Sequence, residues 1–427
     1  MKKKQLLMLF VVFALLAIPL LPAAAQDQVT LVVWDNYVRD AEQAMIETLH
    51  AQFEAAHPGV TIQRESYETG DLTTLLPRAL SDAGGPDVAM INQGVANMGA
   101  LVAANLLLPL NDYADQYDWW SRYGLGLHAR NSVVADGSRI GSGDLYGVSN
   151  IAEVVAIFYH KDVFEELGLS VPTTFDEFEA MLPAIKEAGY TPITFGNLDA
   201  WPGIHTYGAV LHSYSTPQQI DDLIFGNEGA TFDFEGAHLS AAKFKEWIDA
   251  GYFSNGFEGM DNDVAAFGEF ANKESAMWLA GSWNSGPIID ALGEEAVGFF
   301  LLPSAIGAET PYTIGGIGLG YGIRATSENP DLAAEYIDLM TSSDAAALLF
   351  ENDYLPAVAV DPSVLTEGTL TADLVNAWNT ISSGNAVGHY LDWTLPDAGA
   401  RIQELAGGVA TPDEFVANME ADYMALP

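Results

Sequence analysis

Residues 144–162, DLYGVSNIAEVVAIFYHKD, carry the pattern from which the fold can be predicted. Gly147 precedes an apolar run, Val154–Tyr159, that predicts a buried strand. Residues 312–324, YTIGGIGLGYGIR, have the same character and contain five glycines. Because glycine lets the backbone pass close to another backbone or to a ligand, we interpret both stretches as crossings between two lobes. Two lobes joined in this way enclose a cleft and predict a binding protein; the alternative is a pair of ordinary core strands flanked by glycine.

The overall composition indicates a large globular protein. A chain of 427 residues is too long for one compact core and is typical of two or three domains. Hydrophobic residues make up 49 % of it, which excludes a disordered chain. The sequence has no cysteine, so disulfide bonds and thiolate metal ligands are excluded as well.

The N-terminal segment predicts a secretory signal peptide that takes no part in the fold. Lysines at positions 2–4 form its basic region, residues 6–21 form its apolar region, and three alanines ending at Ala25 provide a cleavage site. No later apolar run approaches the roughly 18 residues of a transmembrane helix. We therefore expect a soluble mature protein in the periplasm or outside the cell, cleaved near Ala25.

The charge of the chain limits its partners. The formal net charge is −42, from 58 acidic and 16 basic residues. Such a surface repels nucleic acid and anionic lipid, and it disfavours a polyanionic ligand. The basic residues are scattered apart from Lys243 and Lys245, and they form no arginine cluster for a phosphate group. Solubility, or a saline or acidic habitat, explains the acidity more simply than a binding role does.

A β-α-β-α-β pattern is predicted at the start of the mature chain. Strands are expected at Val29–Trp34, Val60–Tyr67 and Asp87–Ile91, separated by helices at 41–56 and 72–82. This alternation predicts a parallel sheet with right-handed crossovers, in which ligands bind beyond the carboxyl ends of the strands. The candidate ligand-binding residues on this argument are Trp34, Asn36, Glu68 and Gln93.

Five segments, in a fixed order along the chain, resemble one protein family. They are residues 85–88 with 104–110, residues 157–162 with 168–178, residues 276–283, residues 315–319 and residues 354–357. With these segments the chain resembles an extracellular solute-binding protein of a bacterial ABC importer, in the carbohydrate-binding family that includes the maltose-binding protein. The resemblance covers essentially the whole mature chain. His160 departs from the asparagine expected before Lys161, at a position that we interpret as structural.

The resemblance implies an α/β protein with the two-lobed, type II periplasmic-binding-protein fold, hinge crossings and a ligand cleft between the lobes. Residues 26–146 with about 317–352 would form the first lobe, and about 147–316 with 353–427 the second. It further implies a neutral sugar as ligand, a membrane permease and its ATPase as partners, and a monomer that is not an enzyme. We expect no cofactor, no metal and no nucleic-acid partner.

The chemistry of a sugar selects the remaining candidate residues. Carboxylates and amides bond to adjacent hydroxyl groups, and aromatic rings pack on flat C–H patches. The chain has nine tryptophans and seventeen tyrosines, most of which we expect in the core. The resemblance places a sugar-stacking ring at Trp283 and polar contacts at Asn150 and Glu153. The other candidates are Trp201, in a loop predicted after a strand, Gly316, in the second crossing, and Asp392 and Trp393, in the cluster His389–Trp393.

Two alternative functions remain open at this point. One is a secreted glycoside hydrolase or lyase that uses the same cleft, and the other is the same fold binding a polyol or a sugar phosphate. The sequence contains no HExxH pair, no GxSxG elbow and no GxxxxGK[ST] phosphate loop. With 58 acidic residues, possible carboxylate pairs for glycoside hydrolysis carry little information. No candidate site residue is basic, which disfavours a phosphate ligand.

Overall fold

The computed structural model describes residues 28–383 and 386–426, so the predicted signal peptide lies outside the described residues. The strands are β1 Val29–Asp35, β2 Val60–Ser66, β3 Val88–Ile91, β4 Ser132–Val133, β5 Asp144–Leu145, β6 Val148–Ser149, β7 Ala152–His160, β8 Thr191–Thr194, β9 Ser275–Gly281, β10 Val297–Phe300, β11 Thr313–Ile317, β12 Gly320–Ile323 and β13 Val387–Gly388.

The helices surround two large sheets, and β4 and β5 pair to form a third, two-stranded sheet. They are α1 Asp40–Ala56, α2 Thr69–Ser81, α3 Ala100–Ala103, α4 Asn111–Gln116, α5 Leu125–His128, α6 Lys161–Leu167, α7 Phe175–Glu187, α8 Trp201–Ser213, α9 Pro217–Ile224, α10 Glu235–Asp249, α11 Phe267–Ala271, α12 Ser285–Leu292, α13 Pro330–Met340, α14 Ser343–Glu351, α15 Leu370–Ser383, α16 Ala398–Ala406 and α17 Pro412–Met424. Short 3-10 or π turns occur at Val95–Gly99, Trp119–Ser121, Ala129–Asn131, Phe257–Gly259, Asn262–Ala266, Ser282–Asn284, Pro362–Val364 and Leu391–Trp393.

Sheet 1 has the strand order β2-β1-β3-β12-β6. Its β1 pairs in parallel with both β2 and β3, which confirms the predicted β-α-β-α-β unit. Because the strand is apolar apart from Thr30, its sequence predicts burial on both faces, but its residues alternate: Leu31, Val33 and Asp35 are buried, whereas Trp34 is half-buried.

Sheet 2 has the order β13-β11-β7-β9-β8, with β10 also paired to β7. The apolar run predicted as a buried strand forms the centre of β7, and Val154–Phe158 are fully buried there. His160, at the end of β7, is buried with its ring stacked on Phe270 at 4.2 Å and one ring nitrogen 2.8 Å from the Phe270 carbonyl. The position where the chain departs from the family pattern is therefore a packing position.

The two predicted crossings both carry the chain from one sheet to the other, and we call them the first and second passages. β6 pairs with β12 in sheet 1, and β7 begins three residues later in sheet 2. In the second stretch, β11 belongs to sheet 2 and β12 to sheet 1. A Cβ added at Gly320 would lie 3.0 Å from the Cα of Gly147, so the two backbones approach too closely for side chains. A third passage follows α14, where Leu355 accepts a hydrogen bond from the Ala152 amide.

The predicted helix ends agree with the structure where local chemistry decides them. Thr174 and Thr411 begin α7 and α17 with reciprocal capping boxes to Glu177 and Glu414. Gly168 ends α6 in the left-handed conformation, with φ +66°. Within residues 28–383 and 386–426, no helix is long and apolar enough to cross a membrane.

Candidate functional site

Five rings on the sheet 2 side form a continuous aromatic cluster: Trp201, His205, Trp283, Tyr390 and Trp393. The ring of His205 is central, with centroid distances of 4.9 Å to Trp201, 5.2 Å to Trp283 and 5.1 Å to Tyr390. Tyr390 continues the series to Trp393 at 5.3 Å. Three of the predicted site residues are therefore brought together, through two rings that we had not selected.

The local sequence explains how the tryptophans reach the cluster. Trp283 lies in the turn Ser282–Asn284 directly after β9, and its ring folds back over Gly281, where a side chain would collide with it. The Gly281-Ser282 pair before Trp283 thus lets its ring leave the sheet. Trp201 was predicted in a loop, but it is the first residue of α8. His205 follows one helical turn later, so both rings lie on the same face of that helix.

Glu153 brings a carboxylate to the edge of the aromatic cluster. Its Oε2 accepts a hydrogen bond of 3.1 Å from the hydroxyl of Tyr390. Burial raises the pKa of Glu153 to about 7, although the Tyr390 hydroxyl and the charge of Arg130 act in the opposite direction. Burial likewise raises the pKa of Asp392 to about 6. Of the three predicted carboxylates, Glu153 and Asp392 thus lie in desolvated surroundings, where a hydrogen bond from a ligand hydroxyl is strongest.

Arg130 brings a positive charge to the site, contrary to the expectation that no site residue is basic. It comes from the turn Ala129–Asn131, is buried, and its guanidinium lies 5.9 Å from the ring centroid of Trp393. Its Nη2 donates to the carbonyls of Val387 at 2.9 Å and Gly388 at 3.0 Å. A sequence with few arginines gave no local signal for this position.

Gly316 has a structural reason to be glycine. Its φ is +139°, and a Cβ there would lie 2.5 Å from Nη1 of Arg130. The missing side chain thus makes room for the buried guanidinium. A ligand contact at Gly316 stays a prediction.

The carboxyl end of sheet 1 supplies a second set of groups. The ring of Trp34 packs on Tyr67 with a centroid distance of 4.9 Å, and its buried Nε1 has no partner in the part of the chain that the structure describes. Asn36 donates from Nδ2 to the hydroxyl of Thr69 at 3.1 Å. Glu68 is exposed, just before α2. These three predicted residues lie on the sheet 1 side, separate from the aromatic cluster.

Gln93 and Asn150 lie where sheet 1 meets the passages. Nε2 of Gln93 donates to the carbonyls of Ile317 at 3.2 Å and Gly318 at 2.6 Å, so this amide holds the second passage. Oδ1 of Asn150 accepts a 3.0 Å hydrogen bond from the hydroxyl of Tyr37. Its Nδ2 is buried and has no partner among the described residues. Of the two amides, Asn150 keeps a donor free for a ligand.

The two sides touch directly at Gly94. Its φ is +93°, and a Cβ there would lie 2.8 Å from the Cα of Trp393. Gly94 follows the predicted residue Gln93, and Trp393 belongs to the aromatic cluster. The site is therefore one continuous region built from both sheets.

Four residues of this region were not selected from the sequence. His205 could have been found from its spacing of four to Trp201, and Tyr390 from its position in the cluster at 389–393. Tyr37 follows the end of β1, where we chose Asn36 instead. Arg130 had no sequence signal, since its contacts lie on β13, far along the chain.

Chemically, the region combines flat apolar rings with hydrogen-bonding groups. The aromatic rings can pack on C–H patches of a ligand. The carboxylate of Glu153 can accept hydrogen bonds, and the unpartnered N–H groups of Trp34 and Asn150 can donate them. Across the described residues, no group of three or more histidine, aspartate or glutamate side chains is arranged to hold a metal ion. The chemistry of these groups is compatible with a ligand rich in hydroxyl groups.

Comparison with known families identifies the type of protein. The sequence model of a family described as bacterial extracellular solute-binding protein matches residues 36–347. That range contains both glycine-rich passages and most of the five segments on which the resemblance was based. The predicted resemblance is thereby confirmed.

Individual relatives are more distant. An uncharacterised ABC transporter extracellular-binding protein of Pyrococcus horikoshii is 27 % identical over 270 residues, which are 62 % of this chain and 59 % of that protein. A multiple sugar-binding protein of Streptococcus mutans is 27 % identical over 227 residues, which are 50 % of this chain and 51 % of that protein. The chain thus spans little more than half the length of these curated relatives.

Among solved structures, a chitin oligosaccharide binding protein superposes with a TM-score of 0.78 at 22 % sequence identity. The superposition covers 94 % of this chain and 99 % of that one. It confirms the predicted two-lobed α/β fold.

Proposed function

Since the chain belongs to the family of bacterial extracellular solute-binding proteins, we propose that it binds a neutral mono- or oligosaccharide and delivers it to an ABC importer. The observation that carries this proposal is the aromatic cluster beside Glu153, with unpartnered N–H groups on the facing side. The names of the relatives support it, because two of them are a multiple sugar-binding protein and a chitin oligosaccharide binding protein.

The proposed binding mode follows from the chemistry of the site. A pyranose ring placed on Trp283 covers apolar carbon surface and excludes water from it. Its hydroxyl groups donate to Glu153 and accept from the free donors of Trp34 and Asn150. A buried donor without a partner costs about 1–3 kcal/mol, so satisfying it favours the bound state. Bonds to both sides of the cleft also favour the conformation in which the lobes are together.

The proposed organisation follows the two sheets. The proposed first lobe comprises residues 26–146 with about 317–352, and the proposed second lobe comprises about 147–316 with 353–427. The pairing of β6 with β12 supports moving the first boundary to just after Ser149. A membrane permease and its ATPase are the proposed partners, and we propose a secreted monomer, released by cleavage near Ala25, that carries out no catalysis itself.

Titration calorimetry of the mature protein against a panel of neutral mono- and oligosaccharides tests the function. We expect one or a few of them to bind with one-to-one stoichiometry, and chromatography of the same mixtures to show no product. Product formation would favour the glycoside hydrolase or lyase instead. Absence of binding across the panel, together with binding of a polyol or a sugar phosphate, would overturn the assignment of a neutral sugar.

Small-angle scattering gives a second test, which asks whether the passages act as hinges between the lobes. If the lobes rotate about the passages at 149–152 and 317–320, a saturating sugar should lower the radius of gyration. An unchanged radius at saturation would contradict the hinge mechanism even if the sugar binds.

A further inference from the structure

Tyr37 makes an unusual contact across the molecule. It lies two residues after β1, and its side chain is 2 % exposed. Its hydroxyl donates to Oδ1 of Asn150 at 3.0 Å, although the two residues are 113 positions apart in the sequence. Asn150 is also 2 % exposed and lies in the first passage between the sheets. A side chain fixed to sheet 1 thus holds one end of an amide in the passage.

Tyr37 is itself held firmly from its backbone. Its amide donates to Oδ1 of Asp35 at 3.0 Å, and its carbonyl accepts from Nη2 of Arg64 at 2.5 Å. Arg64 pairs with Asp35 through two further bonds, of 2.6 Å and 2.7 Å. Because this buried, bidentate pair fixes the chain on both sides of Tyr37, the hydroxyl has little freedom to leave Asn150.

The backbone of Asn150 is also fixed. Its carbonyl accepts a hydrogen bond of 2.9 Å from the amide of Ala357, in the third passage. With the backbone and Oδ1 both held, the remaining polar group is Nδ2, which is buried and unpartnered among the described residues. If the amide rotated by half a turn, it would present its oxygen, an acceptor, in that position.

We propose that Tyr37 is a positioning residue for ligand binding, which holds the amide of Asn150 so that its N–H donor faces the ligand. The inference rests on the proposed function, since the acceptor for this donor is a hydroxyl or ring oxygen of the bound sugar. Tyr37 need not touch the sugar itself. Its role is to select one of the two orientations of the amide.

A double-mutant cycle of Tyr37→Phe and Asn150→Ala tests the proposal, with a sugar identified on the panel as the probe. Tyr37→Phe removes only the hydroxyl and should weaken binding about threefold to tenfold. In the Asn150→Ala background the same change should have no effect, because the amide through which it acts is gone. Tyr207→Phe is the matched control: its hydroxyl is 3.2 Å from Ser240 in the core of the second lobe, and its loss should leave the Kd unchanged.

The outcomes separate the two proposals. Equal effects of Tyr37→Phe in both backgrounds would show a general structural role and overturn the positioning role alone. An unchanged Kd in the single variant would overturn it as well. A parent protein that binds no sugar on the panel would overturn the proposed function and the positioning role with it. Thermal melting of all four proteins identifies any variant that binds poorly because it is unfolded.

Discussion

The two sides of the site use their polar groups in opposite ways. On the sheet 1 side, the carboxylate of Asp35 is completely buried and bonded twice to the guanidinium of Arg64. On the sheet 2 side, the carboxylate of Glu153 is held by a neutral hydroxyl, that of Tyr390. Burial is the largest cause that raises the pKa of both carboxyl groups, but only Asp35 has a cation in direct contact.

The different hydrogen-bond partners of Asp35 and Glu153 indicate different roles for the two carboxyl groups. A buried carboxylate in a bidentate ion pair has its hydrogen-bonding capacity used, and separating the pair leaves an uncompensated charge. A carboxylate with one neutral partner keeps acceptor capacity for another molecule. We therefore interpret Asp35, with Arg64, as part of the framework that positions the site, and Glu153, with the aromatic cluster, as the surface that meets the ligand.

Substitution of Asp35 gives the largest effect that this comparison predicts. Asp35→Asn removes the charge but keeps the shape, and it leaves the partly buried Arg64 without a counter-ion. The free energy of unfolding should fall by roughly 3–5 kcal/mol, measured by urea denaturation. Glu153→Gln, the corresponding change on the other side, should not destabilise the fold. Equal losses in the free energy of unfolding for the two variants would contradict the different roles that we assign to Asp35 and Glu153.

Loss of the ring of Trp283 should affect binding and leave the fold intact. A sugar face on this ring buries about 60–100 Å² of apolar surface, worth roughly 1.5–2.5 kcal/mol. Trp283→Ala should therefore weaken binding about tenfold to seventyfold in titration calorimetry. Tryptophan fluorescence should change on addition of sugar to the parent and change less in the variant. If the variant folds and binds like the parent, the sugar lies elsewhere, and Trp393 becomes the next candidate.

Comparing the pH dependence of stability between the parent and Glu153→Gln tests the surroundings of the carboxyl group on the sheet 2 side. The pKa of Glu153 is about 7 in the folded protein, against 4.5 for an ordinary glutamate, so between these values the folded protein holds a proton that the unfolded chain releases. The stability that this group contributes is present below about pH 4.5 and is lost as the pH rises through 7. The variant lacks this loss, so its stability relative to the parent should rise over that range. Its sugar affinity at pH 8 should be about fivefold to tenfold weaker than that of the parent.

A pH series of denaturation curves for both proteins provides the measurement. A constant difference in stability between pH 4.5 and 8 would show that the carboxyl of Glu153 titrates normally, as a solvated group. The two carboxyl groups would then differ only in that Asp35 has an ion-pair partner and Glu153 has none.

The smallest predicted effect concerns the contact between the two sides. Gly94→Ala places a methyl group against the backbone of Trp393 and should keep the sides from meeting fully, with a loss of affinity of about twofold to fivefold. Gly189→Ala is the matched control, because Gly189 has a similar φ of +96° and nothing within 4 Å of its added Cβ. Equal changes in Kd for both variants would show that backbone strain, and not the contact, is responsible.

Much of the fold was predictable because it is determined locally. The apolar run at Val154–Tyr159 and the glycines after Thr313 are visible in the sequence, and each has a steric consequence that does not depend on the rest of the chain. The sequence also placed Trp34 and Gln93 at the carboxyl ends of two strands of sheet 1, where the structure has them, since parallel strands of one sheet end on the same side.

The site was less predictable, because its residues find their roles through contacts between distant parts of the chain. The sequence alone determined that rings such as Trp283, and polar groups such as Glu153, would follow strands or passages. Only the tertiary structure decided that Tyr390 meets Glu153 across 237 positions, and that Tyr37 meets Asn150 across 113. It likewise brought Arg130 to the strand at 387–388, where its charge changes the chemistry of the site. Local propensity determines where a strand or helix ends. The hydrogen-bond partner of a buried polar group, in contrast, depends on which parts of the chain the tertiary fold buries against each other.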